Sequence, residues 1–277
     1  MRIRPYYRLL RRRLLGRFGA LDVLPAVHSA ELGNTRDLLV HLPQSYTGSR
    51  KRYPVLYMHD GQNLFDPATS FAGAWRVDRA LAAVRRRGIE AIVVGIPNAG
   101  AGRIREYSPF ATPVTGEGGG GGGLGEKYLD FVIQTVKPLI DQRYRTRRER
   151  ECTGLAGSSM GGLISLYAFF RRPAVFGFAG VLSPAVWFAD AALLEVVRAA
   201  EYVPGRLYLD VGGVEGERTV LLARRLRDLL IEKGYRRGRD LMWVEDPRGR
   251  HQEAFWGRRL RRALPFLLEP SVASSPS

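Results

Sequence analysis

Apolar and polar positions along the 277-residue chain change rhythm at regular intervals. "RDLLVHLP" (36–43) and "YPVLYMHD" (53–60) carry the apolar pattern of strands. "WRVDRALAAVRRRG" (75–88) has helical spacing and stops at Gly88, a residue suited to ending a helix. "IEAIVVGIPN" (89–98) is an unbroken apolar run, as expected of a strand covered on both faces. In "EKYLDFVIQTVKPLIDQRY" (126–144), Tyr128, Phe131, Val132, Val136, Leu139 and Ile140 fall near a 3.6-residue period. Pro138 should bend or divide that helix, because it lacks an N–H and crowds the preceding turn.

The same alternation continues to the end. Strands are expected at "CTGLAG" (152–157), "FGFAGVLSP" (176–184), "RLYLDVG" (206–212) and "RDLMWVED" (239–246). Helices are expected at "MGGLISLYAFFRR" (160–172), "ALLEVVRAA" (192–200), "ERTVLLARRLRDLLIEKG" (217–234) and "QEAFWGRRLRRALPFLLE" (252–269). Strand and helix in turn predict an α/β fold with a mostly parallel sheet and helices on both faces. No repeat or composition break divides the chain, so one catalytic-size domain is expected over 36–268. A basic segment with a first strand (1–35) precedes it, and a polar, disordered tail (269–277) follows. The glycine run 116–125 reads as a mobile loop, a spacer or a loop near a site.

Composition changes this picture little. Hydrophobic residues are 45% and charged residues 25%, ordinary for a chain with a real core, and no apolar run is long enough to span a membrane. Arg17, Asp22 and Pro25 break the N-terminal apolar stretch, which argues against a signal peptide. The single cysteine, Cys152, excludes an internal disulfide, and a cytoplasmic location is expected. The net charge of +16 is carried almost wholly by arginine. No nucleic-acid-binding motif interleaves those arginines, so a solvated Arg-rich surface is preferred to a specific nucleic-acid partner.

Gly157-Ser158-Ser159-Met160-Gly161 matches G-x-S-x-G, between an expected strand and an expected helix. That context is what a nucleophile elbow requires: a serine on a tight turn, small neighbours, and free helix N–H groups behind it. A serine hydroxyl needs a base, and in this arrangement the order is serine, acid, histidine. Of His28, His41, His59 and His251, only His251 follows Ser159. For the acid, Glu215 beyond the Gly212-Gly213 turn is preferred; Glu217, Asp210 and Asp246 stay open. The backbone N–H groups of Met160 and of Gln62, in "HDGQN", are the candidate oxyanion donors. Trp187 and Phe65 are candidate pocket walls, with a place in the core as the alternative for each. His59 and Asp60 have no partners at metal-ligand spacing, so no metal site is expected.

"YPVLYMHDGQNLFD", "GAWRVDRAL", "IVVGIPN", "REYSPF", "GLAGSSMGGLISLYAFF", "GVLSPAVW", "LYLDVGG" and "HQEAFW" resemble, in order, an esterase family of α/β hydrolases. That family groups esterase-D-like, enterochelin-esterase-like and feruloyl-esterase-like enzymes, and the resemblance covers roughly 36–268. It implies the α/β-hydrolase fold and a serine esterase acting on small-molecule carboxylic esters without metal or organic cofactor. Carried over by position, it puts the nucleophile on Ser159, the acid on Glu215 and the base on His251. An acyltransferase on the same residues, or a non-catalytic basic scaffold, is the competing expectation. The ester and the oligomeric state are not legible.

Overall fold

The structure, a computed structural model, describes residues 12–14, 16–112 and 122–269, with 12–14 and 16–18 forming the first short elements. The expected tail after Glu269 and positions 116–121 of the glycine run lie outside the described residues.

Among the described residues nine strands form one sheet, in the order β1-β2-β3-β5-β4-β6-β7-β8-β9. They are β1 Arg12–Leu14, β2 Ala20–Ser29, β3 Asn34–Leu42, β4 Val55–His59, β5 Ile92–Ile96, β6 Thr153–Ser159, β7 Phe178–Pro184, β8 Arg206–Gly212 and β9 Leu241–Asp246. From β5 to β9 all neighbours are parallel. The contacts β1·β2, β2·β3 and β3·β5 are antiparallel, so the N-terminal strands form an antiparallel wing on a parallel core. Ala26, at φ 54°, marks a bulge in β2 between Leu24 and Val27, and its N–H is held by Asp37 Oδ1 at 2.8 Å.

The helices are α1 Val77–Val84, α2 Arg103–Tyr107, α3 Gly125–Asp130, α4 Lys137–Arg143, α5 Met160–Arg171, α6 Ala192–Ala199, α7 Glu217–Glu232 and α8 Glu253–Leu268. Strand side chains alternate between faces, which splits the core in two. Tyr57, Val94, Leu155 and Leu209 pack on one face with α5, α6 and α7. Leu56, Met58, Val93, Ala156 and Tyr208 pack on the other with α1 and α8. α5 is buried at every position from Met160 to Phe170, which is why its sequence shows no polar face.

Pro138 divides its helix as expected, and the structure shows how. A π-helical turn, Phe131–Val136, joins α3 to α4 just ahead of the proline. Widening the turn removes the demand for the missing N–H and makes room for the ring. The glycine run departs from expectation at its end. Gly123 and Gly125 N–H groups both bond Ser108 O, at 2.7 and 3.0 Å, and Leu124 N–H bonds Arg105 O. A Cβ at Gly122 would run into Phe110 O and one at Gly125 would lie 2.5 Å from Pro109 N, so these two positions are packed against backbone where only glycine fits.

β4 continues on one side to β5, whereas β6 returns to its other side and leads on to β9. The carboxyl ends of β4 and β6 therefore flank the point where the winding direction reverses, the place where open α/β sheets leave a crevice. "HDGQN" and Ser159 occupy those two ends. No helix among the described residues is long and apolar enough to cross a membrane. Many surface arginines are paired with carboxylates, as in Arg224–Glu245, Arg258–Asp246 and Arg172–Glu126.

Candidate active site

Ser159 ends β6, and α5 begins at the next residue. Its backbone lies at φ 57°, ψ −120°, a strained conformation for any residue with a Cβ. The turn closes because its neighbours are small. A Cβ on Gly157 would sit 2.8 Å from the Gly161 carbonyl carbon, and one on Gly162 3.1 Å from Leu182 O. Ser158 is buried whereas Ser159 is partly open to solvent. The Met160 N–H belongs to the first turn of α5, where helical N–H groups have no partner within the helix and the dipole is positive.

His251 and Glu215 meet across two loops. Glu215 follows β8, His251 follows β9, and His251 Nδ1 lies 2.8 Å from Glu215 Oε2. The Glu215 side chain is fully buried, while that of His251 is 42% exposed. Glu215 Oε1 accepts from Ser183 Oγ at 2.7 Å, from Gly212 N–H at 3.0 Å and from Arg259 at 3.3 Å. Burial pushes the Glu215 carboxyl up, but the hydrogen bonds of His251 and Ser183 and the charges of His251 and Arg259 outweigh it and hold it below the usual range. No hydrogen bond joins Ser159 Oγ to His251 among the described residues.

Among the described residues none of the other acidic candidates is bonded to His251. Glu217 is an exposed first-turn residue of α7. Asp246 pairs with Arg258 at 2.6 Å, and Asp210 with buried Arg259 at 3.0 Å.

The crevice wall opposite Glu215 comes from the loop after β4. Asp60 adopts φ 54°, ψ 46°, which turns Gly61 and Gln62 inward; a Cβ on Gly61 would lie 2.6 Å from the Gly95 carbonyl carbon. Gln62 is buried and pinned at both ends. Its carbonyl accepts from Thr69 Oγ1 at 2.7 Å and its Oε1 from Asn98 N–H at 3.2 Å. Asp60 receives both Nε and Nη2 of Arg103 at 2.8 Å and Asn98 Nδ2 at 2.6 Å. Despite burial, that pairing with Arg103 keeps the Asp60 carboxyl below its usual range. His59 is fully buried behind Gly161, hydrogen-bonded to Tyr128 Oη at 2.7 Å, and burial pushes its ring down to about 3.

Trp187 stands in the loop after β7, three residues beyond Pro184, which pairs with Ser159; its side chain is exposed. Phe65 is a core residue instead. It packs in the apolar cluster with Leu39, Leu56 and Trp75, and stacks on His41 at 5.8 Å, so its ring is spent on the fold.

Ser183, Trp256, Arg259, Asn98 and Arg103 surround the candidate site and were not singled out by sequence reasoning, which weighed Asp60 only as a metal ligand. One signal was available. Arg259 falls three residues after Trp256 and four before Ala263, so it lies on the apolar stripe of α8, where an unpaired charge would be costly.

Comparison with known proteins agrees with this architecture. The model of the family described as "Putative esterase" matches residues 29–267. A Bacillus subtilis protein, "Uncharacterized protein YbbA", is 28% identical over 233 residues, covering 80% of this chain and 88% of that protein. The siderophore triacetylfusarinine C esterase of Aspergillus fumigatus is 33% identical over 164 residues, 58% of this chain and 53% of that enzyme, so the match spans about half of its length. The IroE-like serine hydrolase of Shewanella oneidensis superposes with a TM-score of 0.72 at 23% identity, over 88% of this chain and 80% of that one. The chain thus belongs to the "Putative esterase" family and is a carboxylic ester hydrolase on the α/β-hydrolase fold.

Proposed function

We propose that the enzyme cleaves small-molecule esters through an acyl-enzyme on Ser159, with His251 as base and Glu215 as the acid that orients it. The observation that carries this reading is the strained serine at the sheet's switch point, on the same edge as a histidine bonded at 2.8 Å to a buried carboxylate. Ser159 Oγ attacks the ester carbonyl carbon as His251 Nε2 takes its proton. The carbonyl π electrons move to oxygen, and the Met160 and Gln62 N–H groups stabilise that oxyanion. Collapse expels the alkoxide, which takes the proton from His251. Water then adds to the acyl-enzyme with its proton passing to His251, and the carboxylic acid leaves as Ser159 recovers its proton.

For the substrate we propose an ester of the siderophore or feruloyl kind. The Aspergillus siderophore esterase supports the first, and similarity to the endo-1,4-beta-xylanase/feruloyl esterase of Xylanibacter ruminicola, 26% identical over 183 residues, the second. Exposed Trp187 beside the elbow offers an aromatic surface for such a substrate. A cytoplasmic setting fits the single, buried cysteine, Cys152.

The test is hydrolysis of p-nitrophenyl acetate, butyrate and octanoate, methyl ferulate and a triacetylfusarinine-type ester by wild type and by Ser159→Ala. Loss of turnover in the variant is expected; activity that survives it overturns the serine mechanism. Capture of the acyl group by an added alcohol in preference to water would reassign the enzyme as an acyltransferase.

A further inference from the structure

Ser183 is buried at the end of β7, at φ 40°, and makes no contact with solvent. Its hydroxyl is surrounded in a way that leaves its proton no choice. Arg259 Nη2 lies 2.6 Å from Ser183 Oγ and Trp256 Nε1 lies 3.1 Å away. A guanidinium and an indole N–H can only donate, so both lone pairs of Ser183 Oγ are taken by acceptance. The hydroxyl proton then points to the remaining neighbour, Glu215 Oε1, at 2.7 Å. Oε1 also receives Gly212 N–H and Arg259, so all three of its neighbours are donors and it carries no proton.

Arg259 is itself fixed from behind by Asp210, whose Oδ2 accepts from Nε at 3.0 Å and whose Oδ1 accepts the Ser183 N–H at 3.0 Å. Trp256 also sets its ring against His251, edge to face, at 4.8 Å between centroids.

Resting on the triad reading above, we infer that Ser183 is a positioning residue: Trp256 and Arg259 donate to Ser183, Ser183 donates to Glu215 Oε1, and His251 donates to Glu215 Oε2 from the other side, so both arms converge on the carboxylate. Oε2 of a carboxylate locked in this way can only accept, so the proton of neutral His251 resides on Nδ1. Nε2 is left bare to serve as the base. Glu215 supplies the charge, and Ser183 holds the carboxylate so that Oε2 stays turned to His251 Nδ1.

The experiment combines kinetics with ¹⁵N NMR of the histidine-labelled enzyme, which has four histidines to assign. Ser183→Ala and Ser183→Gly both remove the hydroxyl, and glycine also relieves the positive φ. Trp256→Phe keeps the ring but removes one donor, and leaves Ser183 in place. Loss of a hydrogen bond to the buried carboxylate should lower kcat by about 10- to 100-fold in the Ser183 variants, and by about two- to tenfold in Trp256→Phe. KM should stay within about twofold, because no substrate contact is touched. The neutral His251 spectrum should move from the Nδ1–H form to a mixture of tautomers.

A wild-type His251 with its proton on Nε2 overturns the inference. So does a folded variant of either kind with wild-type kcat and an unchanged spectrum. Ser159→Ala, run alongside, separates the two levels: activity that survives it removes the esterase mechanism, while the tautomer result still judges Ser183.

Discussion

Arg259 Nε donates to Asp210 Oδ2 at 3.0 Å, with both side chains almost wholly buried. Burial pushes the Asp210 carboxyl up to about 6 even though Arg259 and its hydrogen bonds pull the other way. The two buried charges compensate each other, and removing one partner leaves a buried charge without compensation. Arg259→Met should destabilise the fold by about 3–5 kcal/mol in urea unfolding. Arg259→Met combined with Asp210→Asn should recover part of that loss, since a neutral amide costs less to bury. Simple additivity of the two changes would show that the pair is not coupled.

Glu215 and Glu217 are two residues apart and differ in every physical respect that matters. Glu215 is buried and bonded to His251; Glu217 is exposed at the start of α7. Glu215→Gln should keep the shape but weaken the hold on the His251 tautomer, lowering kcat on the order of 10²- to 10⁴-fold. Glu217→Gln should stay within about twofold, with a stability change near zero. Steady-state kinetics on one p-nitrophenyl ester decides this, and equal losses in both variants would move the acid elsewhere.

Ser159 holds φ 57° because the elbow imposes it. Strain of this kind costs of order 1–3 kcal/mol in a residue with a Cβ, and glycine escapes most of it. Ser159→Gly should thus be more stable than Ser159→Ala by about 1–2 kcal/mol, or roughly 2–8 °C in melting temperature, although both are inactive. Paired thermal melts test it, and an alanine variant as stable as the glycine one would mean that the elbow is relaxed.

Local pattern carried the parallel half of the sheet and the elbow, because each strand there is an apolar run and each helix has its own period. The antiparallel wing was harder to read. Pro25 and the bulge at Ala26 break the alternation of β2, and its register is set by pairing with β3 rather than by its own residues. The π turn before Pro138 is a backbone compromise that side-chain periodicity does not encode. The support of Glu215 was invisible for a different reason. Ser183, Glu215 and Arg259 are separated by 32, 44 and 76 positions and come together only when β7, β8 and α8 pack. Phe65 erred the other way: an aromatic next to a candidate oxyanion loop looks like a pocket wall, yet the chain turns it into the core.

His59 contributes to how the protein responds to mild acid. Its folded value of about 3 lies below the ordinary 6.5, through burial first and the Arg103 charge as well, against the pull of Asp60. As pH falls from 6.5 towards 3, the unfolded chain binds a proton that the native state refuses, so this stability is lost on acidification. Asp210 works in the opposite sense. With its folded value near 6 and its ordinary value at 3.8, the native state binds the extra proton between those limits and gains stability as pH falls. In that window the two contributions oppose each other. His59→Gln removes one of them, while buried His41, also lowered, acts equally in both proteins and cancels in the difference. The stability gap between wild type and His59→Gln should shift against the wild type by up to about 1.4 kcal/mol per pH unit between pH 6 and 4. Urea titrations of both proteins at pH 7, 6, 5 and 4 measure this, and a gap independent of pH would mean that His59 is as readily protonated in the fold as outside it.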